Sequence, residues 1–169
     1  MVLTKSELID ALQSEVRILQ HLCTKIEPAM LDYRPTGKQR STIELLRYLA
    51  VMGPALVESG LAGSFNRDAW MARSAAVAEK DFPGVVAALA AQADEYAALL
   101  ASVPDEAFRK EIEMFGGRSS VGAFIVAYVL GGCAAYRTQL FCYLKACGRQ
   151  DLGTANLWRG VDPAPPVAV

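Results

Sequence analysis

Residues 120–148 read SVGAFIVAYVLGGCAAYRTQLFCYLKACG, and this stretch predicts one long buried helix. Apolar and aromatic residues recur in it at three- and four-residue spacing, which is typical of a helix face that packs on a core. The predicted stripe consists of Val121, Ile125, Tyr128, Gly132, Tyr136, Gln139 and Tyr143. The uncharged run 119–136 contains three glycines and two serines. We therefore expect a helix inside a bundle rather than a membrane span.

Two helices are predicted to begin at capping boxes upstream of this stretch. Thr4 and Glu7 have the spacing at which a hydroxyl and a carboxylate satisfy the free amides of a first turn, and an apolar repeat continues to about Met30. Ser41 and Glu44 repeat the same signature. The first two helices of the chain are therefore expected to start at Thr4 and Ser41.

The second helix is predicted to end at Gly60, with a kink at Pro54 because proline removes a backbone hydrogen bond. A short extra helix is expected at 68–78, before a third long helix that opens at Asp81 and runs to Val103.

The connection 104–118 has a turn signal at Gly116 and Gly117, and 111–115 alternates like a short extended piece. Nothing else suggests a sheet. Four amphipathic helices predict an all-α four-helix bundle over 1–150, with a short extra helix between helices 2 and 3. The prolines in 151–169 predict a C-terminal tail that wraps around the bundle or leaves it.

Composition narrows the class of protein. A net charge of −1 gives no basic surface for nucleic acid, and 53% hydrophobic residues suit a buried helical core. The first residues show no signal peptide, and the four cysteines form no C-x-x-C pair, so we expect reduced thiols in the cytoplasm. Cys23 is predicted to be a core filler, and Cys147 to be the most exposed thiol. The only histidine, His21, is expected to lie on the surface.

Two blocks of sequence resemble the DinB-like (YfiT-type) four-helix-bundle family. The first comprises Tyr33-Arg34-Pro35, Ser41 and Glu44–Leu49; the second comprises Tyr136–Leu140, with Gly148 at the helix end. In that family the first block is a Tyr-x-Pro turn, a serine cap and a helix ending in Leu-x-His. The second block of the family is typically His-x-x-x-His-Arg-x-Gln.

The resemblance implies a metal site that this chain does not reproduce. Members of the family often bind a divalent metal through three histidines, and some act as thiol-dependent transferases or isomerases. Carried over residue by residue, the three positions are Tyr48, Gly132 and Tyr136. Glycine offers no ligand, and a neutral phenol is a poor one for nickel or zinc, so we expect no metal and no cofactor.

The run Gly131–Ala135 is unusual inside a helix, because each glycine costs about 1 kcal/mol relative to alanine. One explanation is close packing of a neighbouring helix against small residues. The other is open space beside the lost metal position, where a small molecule could bind. The candidate pocket residues are Tyr48, Met52, Tyr128, Gly132, Cys133 and Tyr136.

Three functions stay open at this stage. The chain is a metal-free bundle that binds a small ligand or itself, a divergent metal- or thiol-dependent transferase, or a homodimeric scaffold for a partner protein. We expect a small molecule and a second copy of the chain as partners, but no nucleic acid or membrane. Arg137 is predicted to pair with a neighbouring helix. Arg34 and Arg40 are expected to be solvated loop charges, with the binding of an anion as the alternative. No catalytic residue can be named, so the sequence leaves open whether this is an enzyme.

Overall fold

Four long helices form the core of the protein. The computed structural model describes residues 3–164, in which α4 packs against α1 and α2, and α5 packs against the same two helices. The prediction of an all-α bundle is confirmed. The elements are α1 (Lys5–Cys23), α2 (Thr42–Ala62), α3 (Arg67–Ala78), α4 (Phe82–Ala101), β1 (Glu111–Met114), β2 (Gly117–Ser120), α5 (Val121–Ala146) and α6 (Thr154–Arg159).

Both predicted capping boxes form. The Thr4 amide donates to Glu7 Oε2 at 2.7 Å, and the Ser41 amide donates to Glu44 Oε2 at 2.7 Å. Asp81 caps α4 by accepting a hydrogen bond from the Gly84 amide at 2.9 Å. The starts of α1, α2 and α4 are therefore confirmed, because a cap depends on groups only three residues apart.

Three predicted helix ends are wrong, and one of them is that of α4, which ends at Ala101 rather than Val103. α1 stops at Cys23 rather than near Met30. Pro28 favours extended backbone at Glu27, whose φ and ψ are −97° and 153°, so the helix cannot run through to Met30. Met30 is nevertheless buried, in a separate 3-10 turn, which explains why the apolar repeat seemed to continue. α2 continues past Gly60 to Ala62 and is capped by Gly63, whose φ of +75° suits glycine.

The expectation of no sheet is also wrong. The alternating segment pairs antiparallel with 117–120 to form a small hairpin, with Ile112 and Met114 turned inward. Its turn lies at Phe115 and Gly116, whose φ angles of +54° and +79° are those of a tight hairpin turn.

α5 is continuous, but its inner face differs from the predicted stripe. Residues 125–130 form a π-helical turn, which accommodates extra residues and rotates the helix face. Tyr128 is exposed, and Gly132, Tyr136 and Gln139 are only half-buried. The buried side is instead formed by Val121, Phe124, Ile125, Val129, Cys133, Arg137, Leu140, Tyr143 and Leu144. The description of 120–148 as wholly buried is therefore wrong.

Among residues 3–164, three helices are long and apolar enough to cross a membrane by length and composition alone, namely α2, α4 and α5. In the most apolar window of α2, 72% of the residues are buried inside the bundle, against 28% for α4 and 33% for α5. The bundle core thus accounts for most of the apolar surface of α2.

The segment after Gly148 folds back on α1 through α6, a short helix that was not predicted. His21 is covered by this segment instead of lying free on the surface, which corrects the sequence expectation. Asn156 Nδ2 lies 3.0 Å from His21 Nε2, and Lys25 Nζ is 2.7 Å from the Asp162 carboxylate. The boundary near residue 150 stays a prediction, and 165–169 lie outside the described residues.

We expect the stability of the protein to fall below pH 6.5 because of His21. Asn156 Oδ1 accepts a hydrogen bond from the Gly153 amide at 2.8 Å, which leaves Asn156 Nδ2 to donate to His21. The His21 Nε2 that accepts this bond must therefore be unprotonated. Burial, aided by Lys25 and opposed by Asp162, lowers the pKa of His21. The unfolded chain therefore binds the proton more readily, and unfolding becomes easier as pH falls from about 6.5 through the folded-state pKa.

Urea unfolding at pH 7.5 and pH 5.5 measures this effect. His21→Gln keeps an acceptor for Asn156 but does not titrate, so the variant should lose less stability than the wild type on acidification. Equal losses in the two proteins would contradict the assignment.

Candidate functional site

An aromatic cavity of about 480 Å³ lies between α2, α3, the hairpin and α5. Its wall contains no charged side chain, and half of its lining residues are aromatic. The lining residues are Tyr48, Met52, Leu56, Phe65, Trp70, Phe115, Ala127, Tyr128, Gly131, Gly132, Ala135 and Tyr136. We call this space the aromatic cavity.

Six aromatic rings follow one another around the aromatic cavity. They come from α2, the α2–α3 connection, α3, the hairpin turn and α5, so the series begins and ends on the same long helix. The separations of the ring centroids are 4.9 Å for Tyr136–Tyr48, 5.9 Å for Tyr48–Trp70, 5.6 Å for Trp70–Phe65, 5.6 Å for Phe65–Phe115 and 5.6 Å for Phe115–Tyr128. Neighbouring rings are tilted by 51° to 68°, within the range that aromatic pairs favour.

The spacing of residues along α2 directs the Tyr48 side chain to the aromatic cavity, and a cation lies against its ring. It lies one turn before Met52 on α2, so both side chains reach the aromatic cavity. The guanidinium of Arg40 lies over the Tyr48 ring at 4.0 Å, and the residue is exposed, as expected of a loop charge. Burial and the adjacent Tyr136 phenol raise the pKa of Tyr48 to about 12. Tyr48 therefore stays a neutral hydrogen-bonding group at physiological pH.

Gly131 and Gly132 of α5 differ in what lies against them. A Cβ on Gly132 would lie 3.2 Å from Met52 Sδ and Cε, so glycine there lets the Met52 side chain lie against the α5 backbone. At Gly131 the nearest atom to a Cβ would be the Val126 carbonyl oxygen at 3.6 Å, an ordinary contact. Close packing thus explains Gly132, and the space beside both glycines belongs to the aromatic cavity.

Comparison with known proteins bears on the fold. No protein-family model matches the sequence, and a search of curated proteins finds no match. Among solved structures, a DinB-like protein from Bacillus subtilis, YjoA, matches with a TM-score of 0.66. The alignment covers 86% of this chain and 94% of that one, at 16% sequence identity. The chain has the DinB-like fold. At this identity the likeness concerns architecture alone.

The positions of the three expected histidines do not suit a metal in this DinB-like bundle. The Tyr48 and Tyr136 rings pack edge to face, their hydroxyls are the only donor atoms those two positions offer, and Gly132 has none. Within residues 3–164, no group of three or more His, Cys, Asp or Glu side chains is placed to hold a metal ion. The donor set therefore does not fit the divalent metal that the family resemblance implies.

Five of the six predicted pocket residues line the aromatic cavity, and Cys133 does not. The structure brings together Tyr48, Met52, Tyr128, Gly132 and Tyr136. Cys133 is 4% exposed and faces the bundle interior, where burial raises the pKa of its thiol to about 12. A buried thiol with such a pKa is unreactive at neutral pH. The exposed cysteine is Cys142, whereas Cys147, predicted to be the most exposed, is half-buried.

Three aromatic residues of the cavity were not predicted from the sequence. Phe65 lies in a connection, Trp70 on the short helix α3 and Phe115 in the hairpin turn. None belongs to a periodic apolar stripe. Their one signal in the sequence is a large aromatic side chain in an otherwise polar segment. Two of them, Phe65 and Phe115, are exposed at the rim of the cavity by 38% and 53%, as is Tyr128 by 41%.

A second cavity, of about 570 Å³, lies where the start of α1 meets the start of α5. It is larger, but its lysine is already engaged: Lys5 Nζ donates to the carbonyl oxygens of Ala101 and Val103 at 3.1 Å and 3.0 Å. None of the candidate residues lines it. We therefore place the candidate site in the aromatic cavity.

Proposed function

We propose that this protein binds a small, largely apolar molecule in the aromatic cavity, without a metal ion. The series of six rings around a cavity of about 480 Å³ carries the proposal. Ligand sites of this size are typically apolar with a few polar groups that fix orientation. Here those polar groups are the Tyr48 and Tyr136 hydroxyls and the Trp70 indole.

The other activities considered have less support. A thiol-dependent transferase needs an accessible thiolate, and Cys133 is buried with a raised pKa. A second candidate is a homodimer formed through the exposed rim, because Phe65, Phe115 and Tyr128 would then be shielded from water. All four cysteines are unpaired, which supports a cytoplasmic location as part of the proposal.

The neutral fluorescent dye N-phenyl-1-naphthylamine tests the proposal. We expect the dye to bind the wild type, and Ala135→Trp to weaken binding by about 10-fold or more, because the indole would occupy part of the aromatic cavity. Ala135 is an exposed lining residue, so this change leaves the bundle core intact. Ala146→Trp is the matched control, since Ala146 is exposed on the same helix but does not line the cavity.

Two further measurements distinguish the alternatives. The dye should bind equally with and without EDTA, and protein purified without a histidine tag should hold far less than one metal ion per chain. Stoichiometric nickel or zinc would refute the metal-free proposal. A stable dimer that excludes the dye would instead favour the self-association candidate.

A further inference from the structure

Arg40 is an exposed cation without an acidic partner, and it lies on the ring of Tyr48, one of the residues that line the aromatic cavity. Its neighbour Arg34 pairs with Glu44 at 3.2 Å, and Arg73 on α3 pairs with Glu58 and Glu95 at 2.8 Å and 2.7 Å. In the described part of the chain no carboxylate lies within ion-pair distance of Arg40, which instead stacks on Tyr48. Its charge is therefore available to a molecule that extends from the aromatic cavity past the Tyr48 ring.

The backbone of Arg40 is fixed. Tyr143 Oη, from α5, donates to the Arg40 carbonyl oxygen at 3.0 Å, and the next residue, Ser41, caps α2. A guanidinium that stacks through its face keeps its N–H groups free at the edge. Those N–H groups are arranged to donate two parallel hydrogen bonds to a planar anion.

The polar groups of the cavity wall also favour a ligand with acceptor oxygens. The wall contains no carboxylate that would attract a cation. The Trp70 indole can only donate, and the raised pKa of Tyr48 keeps its phenol protonated and able to donate. These donors therefore favour a ligand that combines an apolar body with an acceptor oxygen group.

We propose that the aromatic cavity binds an aromatic carboxylate, with its ring among the six aromatic side chains and its carboxylate on the Arg40 guanidinium. This inference rests on the proposed function, because it names the class of ligand for the same site. A carboxylate matches the two-donor edge of the guanidinium, and a one- or two-ring body suits about 480 Å³.

Three probes that share a ring system and differ in charge test the inference by isothermal titration calorimetry. They are 2-naphthoate, the neutral 2-naphthamide and the cationic 2-naphthylmethylammonium. We expect the naphthoate to bind about 10-fold tighter than the amide, and the ammonium to bind weakest. Arg40→Gln should remove the advantage of the naphthoate, and Arg40→Lys should keep part of it as a point charge without the paired donors.

Arg34→Gln is the matched control, because Arg34 lies in the same connection but is paired with Glu44. It should leave the preference for the naphthoate unchanged. Dye binding by Arg40→Gln shows whether the cavity itself survives the substitution.

The two proposals fail in different ways. Equal binding of naphthoate and naphthamide, or tighter binding of the ammonium, would overturn the carboxylate inference but leave an apolar site. Retention of the naphthoate preference in Arg40→Gln would overturn the role of Arg40. Failure of the neutral dye to bind would remove the proposed function itself.

Discussion

Gly53→Ala should destabilise the protein by about 3 kcal/mol, because Gly53 lies against a tyrosine at the centre of the bundle. A Cβ on Gly53 would lie 1.7 Å from Tyr96 Oη and 2.9 Å from Tyr96 Cζ. Tyr96 is 1% exposed, so its ring has no room to withdraw. At an unconstrained position inside a helix, the same change stabilises by about 1 kcal/mol. The sign of the effect, measured by urea unfolding, therefore tests the contact.

Two variants accompany this measurement. Gly37→Ala is the control, since no atom lies within 4 Å of a Cβ there, and its stability should stay within about 1 kcal/mol of the wild type. Within residues 3–164 the buried Tyr96 hydroxyl has no oxygen or nitrogen partner, only the Cys133 thiol nearby, so Tyr96→Phe alone should cost little. Combined with Gly53→Ala, it should restore part of the lost stability. A fully stable Gly53→Ala protein would contradict the packing of Tyr96 on α2.

The sequence was sufficient to predict the parts of the fold that depend on neighbouring residues. The caps at Thr4, Ser41 and Asp81 involve groups three residues apart, so their positions follow from local chemistry. The ends of α1 and α2 were less predictable, because Met30 and Gly60 are buried by tertiary packing whether or not the helix includes them.

The inner face of α5 could not be predicted because its periodicity changes. A stripe drawn with the usual helical period places Tyr128 and Gly132 on the core side. The π-helical turn at 125–130 rotates that face, so Tyr128 reaches the surface rim and Cys133 turns inward. A π turn has no sequence signature comparable to a cap, and only the packed structure shows it.

Part of the candidate site could be predicted from the sequence, and part depends on contacts between distant residues. Tyr48, Gly132 and Tyr136 were found because the family resemblance marks their positions. Phe65 comes from a connection and Phe115 from a hairpin turn, and their rings meet only in the folded chain. Long-range encounters of single residues leave no period in the sequence.

Arg137→Met should cost about 3–5 kcal/mol, because it leaves the carboxylate of Glu15 buried without its partner. Arg137 is 3% exposed, and its Nε lies 3.3 Å from Glu15 Oε2, joining α5 to α1 as the sequence predicted. Arg137 Nη1 also donates to the Leu157 carbonyl oxygen at 2.7 Å, so the substitution removes this hydrogen bond between α5 and α6. Arg118→Met is the control, since Arg118 and Glu111 form an exposed pair that should contribute less than about 1 kcal/mol.

The pH dependence separates a buried charge from a simple loss of packing. Burial already raises the pKa of Glu15, and Arg137 opposes that rise. Without the guanidinium the folded-state pKa rises further, so the folded variant binds the proton more readily than the unfolded chain. The contribution of Glu15 to stability should therefore be most favourable below about pH 4.5 and fall as pH rises through its folded-state pKa, by more than in the wild type. Replacing both partners, Glu15→Leu with Arg137→Met, should recover most of the loss, because two apolar side chains leave no orphaned charge. If the double variant were as unstable as Arg137→Met alone, the bond to Leu157 and the packing of the arginine would be responsible, rather than the ion pair.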